Sequence, residues 1–386
     1  MREIYCDSSA TTPVHPIVIR EMERFFKRQW GNPSSIYTRG RVAKSEVLDA
    51  RVRVANILNC KPNEVYFTSG GSESDNIFIK GCFKENSAII TSSIEHPAVL
   101  NSCKSLKMLG ALQITLQVGK NGIIDIDFLK GISNLIKKEK PIYATLMLVN
   151  NETGVIQPIA KIAQYLRSLV PNIIIHTDAV QAVGSVSLDV QELGVDSMSL
   201  SGHKFGAPKG IGILYLKEGI KCKPLIDGGG QEMGLRGGTE NVPYIMGITK
   251  ALEIAQSHYK DLDFQHKFRA FDIDFCKRII NEIPEAHLNT SGEGEISGVL
   301  NFRFDGIDAQ SLLLYLDAHN ICVSAGSACH SDKNTPSHIL KAMGLTDEEA
   351  LSSLRFSFKK PLPKSDIDYI ITTLKEGIKS QQKYRL

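Results

Sequence analysis

Ser199-Leu200-Ser201-Gly202-His203-Lys204-Phe205-Gly206-Ala207-Pro208-Lys209-Gly210 sets a lysine between a histidine and an aromatic ring, with glycines close by. The neighbours of Lys204 are small, apolar or ring-bearing, so its surroundings read as partly desolvated. Desolvation lowers a lysine's pKa and frees the neutral amine as a nucleophile. Such an amine can form a Schiff base with an aldehyde cofactor. A surface lysine on a glycine-rich turn is the other reading of the same residues, and the rest of the chain has to decide between them.

Outward from this stretch the chain alternates short apolar runs with helical patterns. Strands are expected over 64–68, 88–91, 113–118, 142–149, 172–176, 198–200 and 212–216, with helices over 16–29, 40–58, 77–83, 128–138 and 159–169. This rhythm predicts an α/β fold, a mostly parallel sheet with helices on both faces. Polar residues gather where the strands end, which is where open α/β sheets bind ligands. After a glycine-rich link at 227–241 and a long helix from 242, the pattern changes. Helices over 268–283, 309–319 and 364–380 with strands over 298–304 and 321–324 predict a smaller α+β domain. We therefore expect a large domain over 14–260 and a small one made of 1–13 and 261–386.

Composition bounds the rest. The 386 residues exceed one ordinary core. Hydrophobic content of 42% and charged content of 23% are those of a soluble globular protein. Net charge is only +3, with no long run of one sign, so neither nucleic acid nor a membrane surface is an expected partner. The first residues contain no apolar signal-peptide core, so a cytoplasmic location is expected. The eight cysteines show neither a CxxC pair nor zinc spacing, and no metal site is expected. Seven of them read as buried small hydrophobes. Cys329 differs: small and polar residues flank it on both sides, as in an exposed loop.

Four features could act together. Asp178 follows the apolar run Ile173-Ile174-Ile175 and could keep a pyridine nitrogen protonated, or simply cap the strand. Ser69-Gly70-Gly71-Ser72 lies between a strand and a helix, where free N–H groups can bind a phosphate or just form a tight turn. His96 stands at a strand-to-helix turn and could stack on a ring. Lys204 could hold an aldehyde carbon.

In this order the residues resemble a family closely. The motifs are Ala-Thr-Thr-Pro at 10–13, Gly-Asn-Pro-Ser-Ser at 31–35, Phe-Thr-Ser-Gly at 67–70 and Glu-Ser-Asp-Asn at 73–76. Glu-His at 95–96, Val-Asn-Asn-Glu-Thr-Gly at 149–154, Asp-Ala-Val-Gln at 178–181 and Ser-Gly-His-Lys at 201–204 follow. Arg-Gly-Gly-Thr-Glu-Asn at 236–241, Gly-Ser-Ala-Cys at 326–329, Pro-Ser-His at 336–338 and Arg-Phe-Ser at 355–357 complete the set. The chain resembles cysteine desulfurases of the NifS/IscS type, in the class V aminotransferase group of fold-type I pyridoxal-phosphate enzymes.

The resemblance implies pyridoxal 5′-phosphate as cofactor and a homodimer with active sites at the subunit interface. It implies Lys204 as the Schiff-base lysine, Asp178 on the pyridine N–H, Gln181 on the ring hydroxyl, and His96 stacked on the ring and moving protons. Gly71, Ser72, Ser201 and His203 would hold the phosphate, and Thr239 would reach the partner subunit's phosphate. Asn151 would lie by ring and substrate, and Arg355 with Asn32 would bind the carboxylate of L-cysteine. Cys329 would take the sulfur as a persulfide, leaving L-alanine, and pass it to an acceptor protein for iron–sulfur cluster assembly or thiolation. A selenocysteine lyase or another class V activity would use the same parts. The chain departs from the family pattern at Tyr37, at Lys359, at Cys6-Asp7-Ser8-Ser9, just after Cys329 and in its last six residues. These differences bear on the acceptor protein.

Overall fold

The computed structural model describes residues 3–289, 298–326 and 335–383. Twelve strands are numbered in chain order: β1 Ile4–Tyr5, β2 Val65–Thr68, β3 Ala88–Ser92, β4 Leu112–Leu116, β5 Tyr143–Met147, β6 Ile174–Asp178, β7 Ser197–Ser201, β8 Gly212–Leu216, β9 Ala286–Leu288, β10 Val299–Phe304, β11 Ile321–Cys322 and β12 Ser353–Ser357. Seven of them form one sheet in the order β2-β8-β7-β6-β5-β3-β4. Only β8 runs against its neighbours, so the sheet is mostly parallel.

Every residue of β3, β5, β7 and β8 is buried. That is the mark of a sheet covered on both faces. Successive strand residues point to opposite faces. Ile89, Tyr143 and Leu214 pack with Ile77, Phe78, Val99 and Cys103 of helices Gly71–Gly81 and Pro97–Leu106. Their neighbours Ile90, Ala144 and Ile213 pack on the other side with helices Pro16–Lys27, Thr38–Leu58, Ile159–Leu169 and Val242–Lys260.

A second core lies around the antiparallel sheet β12-β10-β9. It is rich in phenylalanine: Phe268, Phe271, Phe275, Phe302, Phe356 and Phe358 pack ring on ring at 5.0–6.2 Å. Helices Leu262–Glu282, Ala309–Ala318 and Lys364–Lys383 cover it. The N-terminal strand β1 pairs in parallel with β11, which brings Ile4 and Cys6 into this core.

Three helices differ from the sequence expectation. The helix expected over 77–83 starts at Gly71, because a glycine pair between strand and helix opened the first turn rather than a loop. The helix expected over 128–138 is two short ones, Ile126–Gly131 and Ser133–Glu139. The long helix from 242 ends at Lys260, where Asp261 takes Asp263 and Phe264 N–H groups on its side chain and starts a new helix. The cysteines also differ: Cys6, Cys82 and Cys103 are buried, but Cys60, Cys222, Cys276 and Cys322 are only half-buried. Among the described residues no helix is long and apolar enough to cross a membrane.

Candidate active site

The carboxyl ends of the parallel strands open on a cavity of about 470 Å³. That volume suits a small ligand of cofactor size. Ten of the predicted site residues line it: Gly71, Ser72, His96, Asn151, Asp178, Gln181, Ser201, His203, Lys204 and Arg355. Asn32 and Thr239 do not. Both are exposed, Asn32 in the turn after helix Pro16–Lys27, where its Oδ1 accepts from the Ser34 N–H at 2.9 Å. Cys329 lies outside the described residues.

Lys204 is set by β7 and a single turn of tighter helix, Gly202–Lys204. Gly202 is needed there, since a Cβ would come within 2.9 Å of Ala207 and 3.0 Å of Ile211. Lys204 Nζ donates to the carbonyls of Ser9 at 2.5 Å and Ala10 at 2.9 Å. The N-terminal arm that offers these carbonyls is itself held by the lysine loop. Thr12 N–H and Oγ1 both donate to the His203 carbonyl, and the Gly206 N–H donates to Thr12 Oγ1. The sequence shows residues 10–13 only as part of a motif and does not reveal that the arm orients the lysine. Nothing local in Ser8-Ser9-Ala10 signals it, because backbone carbonyls do the work.

Asp178 ends β6, between Met147 of β5 and Ser199 of β7. Burial pushes its carboxyl above the usual range, while His96, the Val180 N–H at 3.0 Å and Lys204 pull it back. Asp75 lies one helical turn beyond Gly71 and also lines the cavity. It is buried, its Oδ1 has no hydrogen-bond partner, and burial and the nearby Asp178 push it well up. Two buried acids at one end of a cavity call for a positively charged N–H donor. Asp75 was not singled out from the sequence, and the signal was the helix start at Gly71, which turns residues 71 and 75 to one side.

At the other end the helix Gly71–Gly81 points its free N–H groups into the cavity rim. A Cβ on Gly71 would lie 2.6 Å from Val180 Cγ2, so the backbone approaches as closely as it can. Glu73 in this first turn is neutralised by Arg236 at 2.9 Å and caps the Ser69 N–H at 2.8 Å. Burial opposes its charge, but Arg236 and Ser69 outweigh that and hold its carboxyl below the usual range. With Glu73 tied up, the helix start favours an anion. His203 is pushed down to about 4 by burial, Lys204 and Lys209, so at pH 7 it is a neutral partner, with Nδ1 3.2 Å from Thr11 Oγ1. His96 caps the helix Pro97–Leu106, its Nδ1 accepting from the Ala98 N–H at 3.1 Å. That bond puts the proton of a neutral ring on Nε2. Gln181 Nε2 donates to the Ser9 carbonyl at 2.9 Å.

Arg355 closes the cavity from β12. It is 2% exposed, donates from NH2 to Asp7 Oδ1 at 2.6 Å and from NH1 to the Asn151 carbonyl at 2.9 Å. Its Nε has no partner. The Asn151 Oδ1 is likewise buried and unpartnered. Lys359, one of the departures, donates to the Val183 carbonyl at 3.4 Å, and burial pushes its amine down to about 8. Tyr37 is exposed at the start of helix Thr38–Leu58.

The residues present fit pyridoxal 5′-phosphate. An amine, a buried acid for a ring nitrogen and a glycine-opened helix start for a phosphate share one cavity, and Asp75, Asn151 and Arg355, each with a buried unpartnered polar atom, are among its lining residues.

Comparison with known proteins agrees. The chain is 41% identical over 390 residues to a cysteine desulfurase IscS of Clostridium botulinum, covering 99% of this chain and 96% of that one. A solved NifS-like protein superposes with a TM-score of 0.90 at 32% identity, covering 98% of this chain and all of that one. A structure of SspA in complex with cysteine superposes at 0.79 with 34% identity, covering 93% of this chain and all of the other. The match to the family described as aminotransferase class-V runs from residue 4 to residue 370, nearly the whole chain, so the protein belongs to the class-V aminotransferase family.

Proposed function

We propose that this protein is a pyridoxal 5′-phosphate-dependent cysteine desulfurase. The observation that carries the reading is the shared cavity of Lys204, Asp178, the Gly71–Ser72 helix start and Arg355. It occurs in a chain that matches a cysteine desulfurase along its length. When bound, the cofactor supplies the electron sink that makes the Cα–H and C–S bonds of an amino acid breakable.

The chain's own residues do the rest. Lys204 Nζ would hold the aldehyde carbon and, when released from it, would carry the α-proton of the substrate. Asp178 accepts the hydrogen bond of the ring nitrogen and keeps it protonated. His96 presents its ring face and Nε2–H to the cavity. Gly71, Ser72, Ser201 and neutral His203 hold the phosphate. Gln181 faces the ring hydroxyl. Arg355, through the free Nε and its fork, and Asn151, orient the substrate carboxylate. The Cys329 sulfur attacks the substrate sulfur. The C–S bond breaks, an S–S bond forms, the carbon takes a proton, and L-alanine leaves with the enzyme carrying a persulfide.

The reading extends to assembly. We place a large domain over 14–260 and a small one of 1–13 with 261–386: Ile4 and Cys6 share a core with Phe268, Phe302 and Phe356, while Ile339, Leu340 and Met343 pack instead on Ile94 and Met147 of the large domain. A homodimer is supported by the exposed apolar side chains Ile19, Phe26, Trp30, Ile36 and Tyr37, which run together on helix Pro16–Lys27 and beyond it. Asn32 lies in that same stretch and, with exposed Thr239, would serve a site across the interface. The seven described cysteines are free thiols, which suits the cytoplasm. The persulfide passes to an acceptor protein, of which an iron–sulfur scaffold is one kind. The test is to add L-cysteine to the yellow holoprotein and measure alanine and sulfide with and without reductant. Alanine formation supports the reading, and its absence in both conditions overturns it.

A further inference from the structure

The turn after β5 carries more than Asn151. Its frame is Asn150, fully buried, whose Oδ1 accepts from the N–H groups of Glu152 at 2.9 Å and Thr153 at 3.0 Å and from Thr153 Oγ1 at 3.1 Å. Its Nδ2 donates to the Ile94 carbonyl at 3.2 Å, two residues before His96. A turn braced in this way has little freedom. Three donors converge on it, two of them from the β12-β10-β9 sheet. Arg355 NH1 takes the Asn151 carbonyl and Asn301 Nδ2, from β10, takes the Glu152 carbonyl at 3.1 Å. Ser337 Oγ donates to the Glu152 carboxylate. Glu152 is 1% exposed and Ser337 half-buried, so water has limited access to their bond, and a hydrogen bond screened from water is stronger than an exposed one.

Ser337 is the third residue of the segment that follows residues 327–334 in the chain. That segment is seated on the seven-stranded side. His338 Nε2 lies 3.0 Å from the Glu95 carbonyl, and Ile339, Leu340 and Met343 pack on Ile94 and Met147. Before residue 327 the chain is fixed as well, by Ser324 and Arg355, which exchange backbone bonds at 2.7 and 3.2 Å. Thus the described residues on either side of Cys329 in sequence are bonded to Arg355 and to Glu152, the two groups that flank Asn151.

We propose that Glu152 is a positioning residue for sulfur transfer: by bonding Ser337 it fixes the chain eight residues beyond Cys329, without touching substrate or cofactor. This rests on the desulfurase reading above. Fixing the points of attachment raises the effective concentration of the thiol at the substrate. Losing one should slow the transfer and leave binding alone.

Glu152→Ala removes the acceptor and keeps Ser337 as the cap of helix His338–Ala342, whose Ile339 and Leu340 N–H groups it accepts. The holoenzyme variant should keep its visible absorption spectrum, its cofactor affinity and its KM for L-cysteine within about twofold. Its kcat for alanine and the Cys329 persulfide formed in a single turnover should both fall roughly tenfold. Amide exchange at Ile339 and Leu340 should quicken. Glu152→Gln, which still offers an oxygen to Ser337, should recover most of the rate. If Glu152→Ala folds poorly, Ser337→Thr and Ser337→Ala form the second pair, the first near wild type and the second slow. An unchanged kcat in both Glu152→Ala and Ser337→Ala overturns the proposal. So does a fall in kcat matched by equal losses of cofactor affinity and melting temperature. A wild-type protein that makes no alanine from L-cysteine overturns the functional reading instead.

Discussion

The two sides of the cavity are built differently. On the seven-stranded side, Asp178 and Ser201 end strands, Lys204 follows one directly, and Gly71 and His96 sit at helix starts. Their positions come from backbone ladders and helix dipoles, which long-range packing fixes. On the β12-β10-β9 side, among the described residues, Arg355 alone lines the cavity: pairing with Asn301 and Ser324 holds its backbone, and side-chain bonds to Asp7 and to the Asn151 carbonyl aim its guanidinium. On the proposed function, the difference teaches that the sheet carries the cofactor chemistry, whereas substrate orientation and sulfur transfer fall to a polar seam beside it.

Substitutions that break one side and not the other test this division. The largest effect is expected from Cys329→Ser. It should cut alanine and sulfide production by about 1,000-fold or more while leaving the yellow cofactor in place. An aminotransferase would keep its rate. Next is Asp178→Asn, which removes the acid proposed to hold the ring nitrogen's proton. It should lower kcat for alanine by about 100-fold and shift the visible absorption band, with Cys329 still open to alkylation. Arg355→Lys keeps the charge but loses the planar fork. KM for L-cysteine should rise about tenfold with a smaller change in kcat, read from steady-state kinetics.

How much of this was legible in the sequence depends on what does the positioning. The parallel sheet was readable because strands buried on both faces are continuous apolar runs, as in Ile173-Ile174-Ile175. The residues around the cavity were readable because they fall at strand ends and carry distinctive chemistry. Asp75 was missed because the helix was expected to begin at 77, which left its facing undefined. The roles of Ser9 and Ala10 were invisible because their carbonyls, not their side chains, meet Lys204 Nζ. The Glu152–Ser337 bond joins positions 185 apart, and a seam of that span leaves no periodic mark in either segment.

The smallest effect concerns Glu95, next to His96. It is fully buried; Ser92 and the Met147 N–H bond its Oε1, and Oε2 has no partner. Burial pushes its carboxyl up from 4.5 to about 8. A raised acid is protonated in both states below pH 4.5 and costs nothing there. The folded protein loses stability relative to the unfolded as pH climbs from 4.5 to about 8. Glu95→Gln removes that loss. The melting temperature of the apoprotein variant should match wild type at pH 4.5 and exceed it by a few degrees above pH 8. A gap of constant size across this range would show that the carboxyl does not titrate as described.

The central claim is that the sheet-held cofactor site and Cys329 act on one substrate molecule. Mixing equimolar L-cysteine with the holoprotein without reductant, then quantifying alanine and the mass of the Cys329 peptide, tests it most directly. The account predicts one alanine released for each Cys329 that gains one sulfur atom, with both absent in Cys329→Ser. Alanine released from wild type with no sulfur gained on Cys329 would contradict it.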